Sequence, residues 1–95
     1  MARVKHLIVF CYDVSAAKTR RKISAVLEEN GARVQESVFE CRMTIPVGEA
    51  LLARLDRLRE ETDSVRMYVI PETGRLACAS AGGAPIAEKS EFWLM

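Results

Sequence analysis

The order of apolar runs along this chain predicts an α+β fold, a ferredoxin-like β-α-β-β-α-β sandwich with both helices on one face of a four-stranded antiparallel sheet. Three observations carry that reading. Short β-branched and aromatic runs alternate with two stretches of helical periodicity in the required order. The 95 residues suffice for one core and no more. The first and last strands are apolar on both faces, whereas a sheet with helices on one side should alternate. A second copy laid sheet to sheet would cover the surplus, so a twofold homodimer is expected; the plainer alternative is an inner strand that is merely over-apolar.

His6 to Tyr12 opens the fold as a short strand of six consecutive apolar residues after the histidine. Ser15 is placed as an N-cap for a helix over Ala16–Asn30, with Gly31 as its stop and Thr19, Ile23, Val26 and Leu27 on one face. Ala32–Gln35 and Val38–Met43 follow as strands joined near Glu36-Ser37. Pro46 marks the first turn of a second helix, which is expected to reach about Glu61 with Val47, Leu51, Leu55 and Leu58 inward. Ser64–Ile70 is the fourth strand, closed by a turn over Pro71-Glu72-Thr73-Gly74. Leu76–Ala79 offers a short return strand. The ferredoxin-like domain is thus expected over residues 1–80. Residues 81–95 form a Gly-Gly-Ala-Pro linker and a C-terminal tail, where Phe92, Trp93, Leu94 and Met95 suit an extra strand added to an exposed sheet edge, on the partner subunit or on another protein.

Composition excludes several classes. With 49% hydrophobic and 28% charged residues, the chain is neither disordered nor low in complexity. No apolar run approaches the ~18 residues of a membrane span, and no small-residue cleavage site follows the first strand. Cys11, Cys41 and Cys78 are odd in number and far apart, as expected of free buried thiols in a reducing cytoplasm. His6 has no partner at triad or metal spacing, so a structural role is expected. Ser15 and Ser37 lack a nucleophile elbow, Gly82-Gly83 lacks the strand and helix of a phosphate loop, and Glu40 is expected at a rim or in an ion pair.

The net charge of +1 hides an asymmetry, +3 over residues 1–42 against −2 over residues 43–95. Lys18, Arg20, Arg21 and Lys22 crowd the start of the first helix, where the macrodipole disfavours cations, and Glu28 and Glu29 sit at the equally wrong end. One reading is a solvated, miscapped face. The other is a phosphate-binding end, in which side-chain charge adds to exposed backbone N–H groups and two copies line a duplex backbone. Few aromatics on a mostly buried sheet argue against base stacking. Asp13, at the end of the first strand, also has two readings: a cap or solvated loop acid, or a metal ligand. One carboxylate is thin for Mg²⁺, but a dimer could bring two together.

Val9-Phe10-Cys11-Tyr12-Asp13-Val14-Ser15, followed by Lys18-Thr19-Arg20-Arg21-Lys22-Ile23, resembles the opening of the CRISPR-associated Cas-two family. Gly31 through Cys41, including Gln35-Glu36-Ser37-Val38-Phe39-Glu40-Cys41, and Asp63-Ser64-Val65-Arg66-Met67-Tyr68 extend the resemblance over residues 4–70. It implies a ferredoxin-like homodimer with Asp13 facing its twin and binding Mg²⁺. It further implies a central role in spacer acquisition, bridging Cas-one integrase subunits and holding double-stranded DNA. Members commonly act as metal-dependent endonucleases on RNA or DNA, which would make Asp13 catalytic. The chain departs from the family at Ala16-Ala17, where members often carry a further acid, so this loop provides no second carboxylate. The competing class is a non-catalytic regulatory or ligand-binding module of the same fold.

Overall fold

Strand β1 (His6–Asp13) takes an interior position in the sheet, where an unbroken apolar run finds neighbours on both edges. The computed structural model describes residues 4–83 and 86. After β1 the chain forms α1 (Ala17–Glu28), β2 (Gly31–Gln35), β3 (Val38–Met43), α2 (Ile45–Asp56), β4 (Ser64–Ile70) and a short α3 (Glu72–Leu76). The strands lie in the order β2-β3-β1-β4, every pair antiparallel. This is the α+β ferredoxin-like architecture expected of the sequence.

One face of the sheet makes the core. Ile8, Phe10 and Tyr12 of β1 and Phe39, Cys41 and Met43 of β3 are buried with Ile23, Val26 and Leu27 of α1 and Leu51 and Leu55 of α2. Phe10 stands opposite Phe39 and Ile8 opposite Cys41, so the two central strands present one continuous apolar surface. Helix α1 lies over β2 and α2 over β4. Each fully buried Phe, Leu or Ile contributes about 1.5–3 kcal/mol relative to exposure, so these side chains set the geometry that the loops must accept.

Several element ends differ from expectation, each for a local reason. The α1 cap falls at Ala16 rather than Ser15 and makes no side-chain capping bond. The Ser15 N–H instead donates to the Asp63 carboxylate at 3.3 Å. Gly31 is not a left-handed stop for α1, since only Gly82 and Gly83 have positive φ among the described residues. It opens β2, where a Cβ would collide with the Glu40 carbonyl oxygen and Cys41 Sγ. Helix α2 ends at Asp56, five residues short of Glu61, because Arg59 ties the following turn. Arg59 Nε donates to Asp56 at 2.6 Å, and its Nη1 donates to the carbonyls of Glu60, Glu61 and Asp63. Val47 is 51% exposed, and Gly48 takes its inward place against the sheet. Pro46 stands in the first turn of α2 as expected, and Thr44 caps that turn by accepting from Val47 N–H.

The chain after β4 also departs from expectation. The Pro71–Gly74 turn continues into α3, and residues 76–79 form no return strand, because Gly74 and Arg75 carry on in helical hydrogen bonding to Cys78. Helix α3 packs on β1 on the side away from α1 and α2, where Leu7 is buried. The expected extra strand with Phe92, Trp93 and Leu94 lies outside the described residues. All three cysteines are free, yet only Cys41 is buried; Cys11 and Cys78 are half-buried. Burial pushes the Cys41 thiol up to about 12, which leaves it unreactive at neutral pH.

Asp63 is the one buried acid among the described residues, 6% exposed. Its two oxygens accept from Ser15 N–H at 3.3 Å and Glu60 N–H at 2.9 Å, fastening the β1–α1 loop to the α2–β4 loop. Asp63→Ala removes the partner of two backbone donors, and urea unfolding should show a loss of about 1–3 kcal/mol. The exposed Glu61→Ala control should stay within about 0.5 kcal/mol of wild type. An Asp63→Ala loss no larger than the control would sink this assignment.

Candidate nucleic-acid interface

Asp13 is the last residue of β1, paired with Ser64 of β4 and exposed. The chain turns there through Val14 and Ser15 into α1, whose first turn holds no acid. A groove of about 480 Å³ opens at this end of the sheet, and Asp13, Arg20, Arg21 and Arg33 all line it. Tyr12 lines it too, and behind it lies the fully buried Phe39. Tyr12 and Phe39 stack with ring centroids 6.4 Å apart, and the Arg33 guanidinium lies 4.9 Å above the Phe39 ring.

The four cations named from the sequence do not play one role. Arg20 Nη1 donates to the Ser15 carbonyl at 2.6 Å and to the Val14 carbonyl at 3.1 Å, closing the loop that carries Asp13. Arg21 reaches the groove without a hydrogen bond of its own among the described residues. Lys18 and Lys22 are exposed on α1 outside the groove lining. The uncapped start of α1 therefore presents free backbone N–H groups and three uncommitted cations at its first two turns, a combination that favours phosphate.

Arg33 joins the site from β2 and escaped the sequence reading. It is held by Glu28 at 3.1 Å and by the Glu36 carbonyl, above Phe39. Nothing local marks it: the β2–β3 register is irregular between Arg33 and Gln35, and the Arg33 side chain reaches Glu28 at the end of α1. A lone arginine between alanine and valine in a short strand gives no periodic signal of that proximity.

One chain alone does not assemble a metal site from its described residues. Among the described residues no three His, Cys, Asp or Glu side chains converge. Asp13 contributes one exposed carboxylate, and the groove it lines holds three arginines, Arg20, Arg21 and Arg33, against one further acid, Glu36. Such a donor set is no closed metal site; it would suit Mg²⁺ where a further acid joins Asp13, with waters filling the remaining positions.

Comparison with known proteins gives this geometry a context. The family model described as CRISPR associated protein Cas2 matches residues 6–76. The chain is 39% identical over 82 residues to "CRISPR-associated endoribonuclease Cas2 1" of Chloroflexus aurantiacus, covering 84% of this chain and 88% of that one. The crystal structure of Streptococcus pyogenes Cas2 superposes with a TM-score of 0.69 at 29% identity, covering 80% of this chain and 99% of that one. A chain of a partial Cas6-RT-Cas1–Cas2 complex superposes with a TM-score of 0.71 at 31% identity, covering 87% and 98% respectively.

The division of labour among the cations is testable by unfolding. Arg20→Ala should lower stability by about 1 kcal/mol, since two loop carbonyls lose their donor. Lys18→Ala, Arg21→Ala and Lys22→Ala should each stay within about 0.5 kcal/mol of wild type. An Arg20→Ala effect no larger than the other three would remove its structural role.

Proposed function

Because the chain belongs to the CRISPR-associated Cas2 family, we propose that it is a homodimeric, nucleic-acid-binding subunit of spacer acquisition that works with a Cas1 integrase on double-stranded DNA. The observation that carries the reading is the convergence of exposed Asp13 with Arg20, Arg21 and Arg33 beside the start of α1. One copy gives a short basic patch; two copies related by a twofold axis give a longer one, suited to following a duplex backbone. The partial Cas6-RT-Cas1–Cas2 complex among its structural neighbours supports a Cas1 partner.

Its relatives are named endoribonucleases, and we assign this chain phosphodiester cleavage on RNA or DNA with Asp13 as the catalytic acid. Asp13 of each protomer would face its twin and together hold Mg²⁺. Bound there, the ion would supply an activated water and a counter-charge for the reacting phosphate. Arg21 and Arg33 would orient that phosphate and stabilise charge on its oxygens. Arg20 would act indirectly, by holding the loop that sets the position of Asp13.

Binding and cleavage separate by mutation. In gel shifts on labelled duplex DNA, the Lys18→Ala/Arg21→Ala/Lys22→Ala variant should bind at least about tenfold more weakly and show a salt slope shallower by about 2–3. Affinity that ignores both salt and these substitutions would overturn the adaptor reading in favour of a ligand-binding module. Asp13→Ala should keep duplex binding within about twofold while losing cleavage of single-stranded RNA or duplex DNA in Mg²⁺, and EDTA should abolish cleavage by wild type. Persistent cleavage by Asp13→Ala would refute the metal assignment.

A further inference from the structure

The face of the sheet turned away from α1 and α2 is laid out row by row in the strand register. Nearest α3, Arg42, Leu7 and Ile70 stand side by side across β3, β1 and β4. The next row is Glu40, Val9 and Tyr68, and the next is Val38, Cys11 and Arg66; Asp13 and Ser64 end the series. Helix α3 closes over the first row, where the Arg42 side chain is 4% exposed with Glu72 at 4.0 Å. No helix closes over the two middle rows among the described residues; the segment 79–83 and Ile86 share a groove with Glu40 at the β3 flank, and Tyr68 at the β4 flank is 48% exposed.

Those rows are apolar except for two charges of opposite sign on opposite flanks of β1. Glu40 lies on the β3 side and Arg66 on the β4 side, and neither makes an ion pair among the described residues. Arg66 donates only to the Tyr68 hydroxyl, at 2.9 Å. Burial raises the Glu40 carboxyl above the ordinary carboxylate range, as befits a half-buried acid without a cation.

The proposed homodimer would cover these rows, and any pairing of charges across it rests on that reading. A twofold axis running along β1 brings the two Asp13 together and lays apolar row on apolar row. An axis across the strands through Asp13 would overlap only their ends. Rotation about β1 sets β3 of one protomer over β4 of its partner, so the acidic flank meets the basic flank twice by symmetry. Glu40 and Arg66 differ by one row, about 7 Å along the strand, which an arginine side chain spans. A crosswise axis through the middle rows would instead oppose β3 to β3, with Glu40 against Glu40 and Arg66 against Arg66.

We propose that Glu40 of each protomer pairs with the partner's Arg66, and that this pair of ionic contacts selects the β1-parallel arrangement that brings the two Asp13 together. Such pairs add little raw affinity but discriminate strongly against like-charge alternatives.

Sedimentation equilibrium of the full chain tests the assignment. Glu40→Arg and Arg66→Glu should each raise the dimer Kd at least about tenfold, and the double exchange should return it to within about threefold of wild type. Recovery in the double variant, with Glu40→Gln intermediate, shows that the single exchanges act on pairing and not on folding. Wild-type Kd values in both single variants, or a double variant no tighter than either single one, would overturn the pair. Val9→Asp reports on the face itself: dissociation by Val9→Asp beside unaffected charge variants removes the pair and keeps the dimer. A dimer that survives Val9→Asp, or a wild type that stays monomeric, removes the sheet-face reading together with the pair.

Discussion

The constraint on which the other elements depend is the two-sided demand of β1. Ile8, Phe10 and Tyr12 fill the space beneath α1 and α2, yet Leu7, Val9 and Cys11 point the other way, where the five-residue α3 is the one helix among the described residues. That helix covers Leu7 and leaves Val9 and Cys11 half-buried. The strand then ends in a carboxylate that makes no ion pair among the described residues. Interior position, partial cover and terminal charge all belong to one eight-residue segment, and the arrangement of the other elements can be read as a response to it.

Much of this was legible in sequence because it depends on period. The buried face of α1, namely Thr19, Ile23, Val26 and Leu27, is the face that helical spacing picks out. Strands β3 and β4 lie where their alternating or β-branched runs begin and end. What periodicity could not show was decided by contacts between distant residues. Ser15 loses its capping role because Asp63 reaches it from 48 positions away. Helix α2 stops early because Arg59 gathers the carbonyls of the next turn, and Gly31 matters for close strand approach and not for its φ. The residues after Pro71 carry signals for both turn and strand, and a helical turn won because it shields Leu7.

The candidate site shows the same split. Asp13 and the basic start of α1 stand out in sequence because charge is misplaced there: cations crowd the wrong end of a helix and an acid follows an apolar run. Structure sorts those cations by what else they hold. Arg20 is tied to two carbonyls, Arg21 is uncommitted in the groove, and Lys18 and Lys22 extend the positive field along the exterior. Arg33 completes the set from β2, and its place is legible only once it is seen over Phe39 and paired with Glu28 of α1.

The Asp63 tie has a consequence for how the groove meets a ligand. Because the β1–α1 loop is pinned at Ser15 from one side and at the Val14 and Ser15 carbonyls by Arg20 from the other, its backbone is already ordered before anything binds. A nucleic acid arriving there would forfeit its own freedom but would not have to freeze the loop. The entropic toll of complex formation is correspondingly smaller, and encounters steered by the positive field can become productive without waiting on a rearrangement. A single buried carboxylate on the far side of the loop thus bears on association speed as well as on folding.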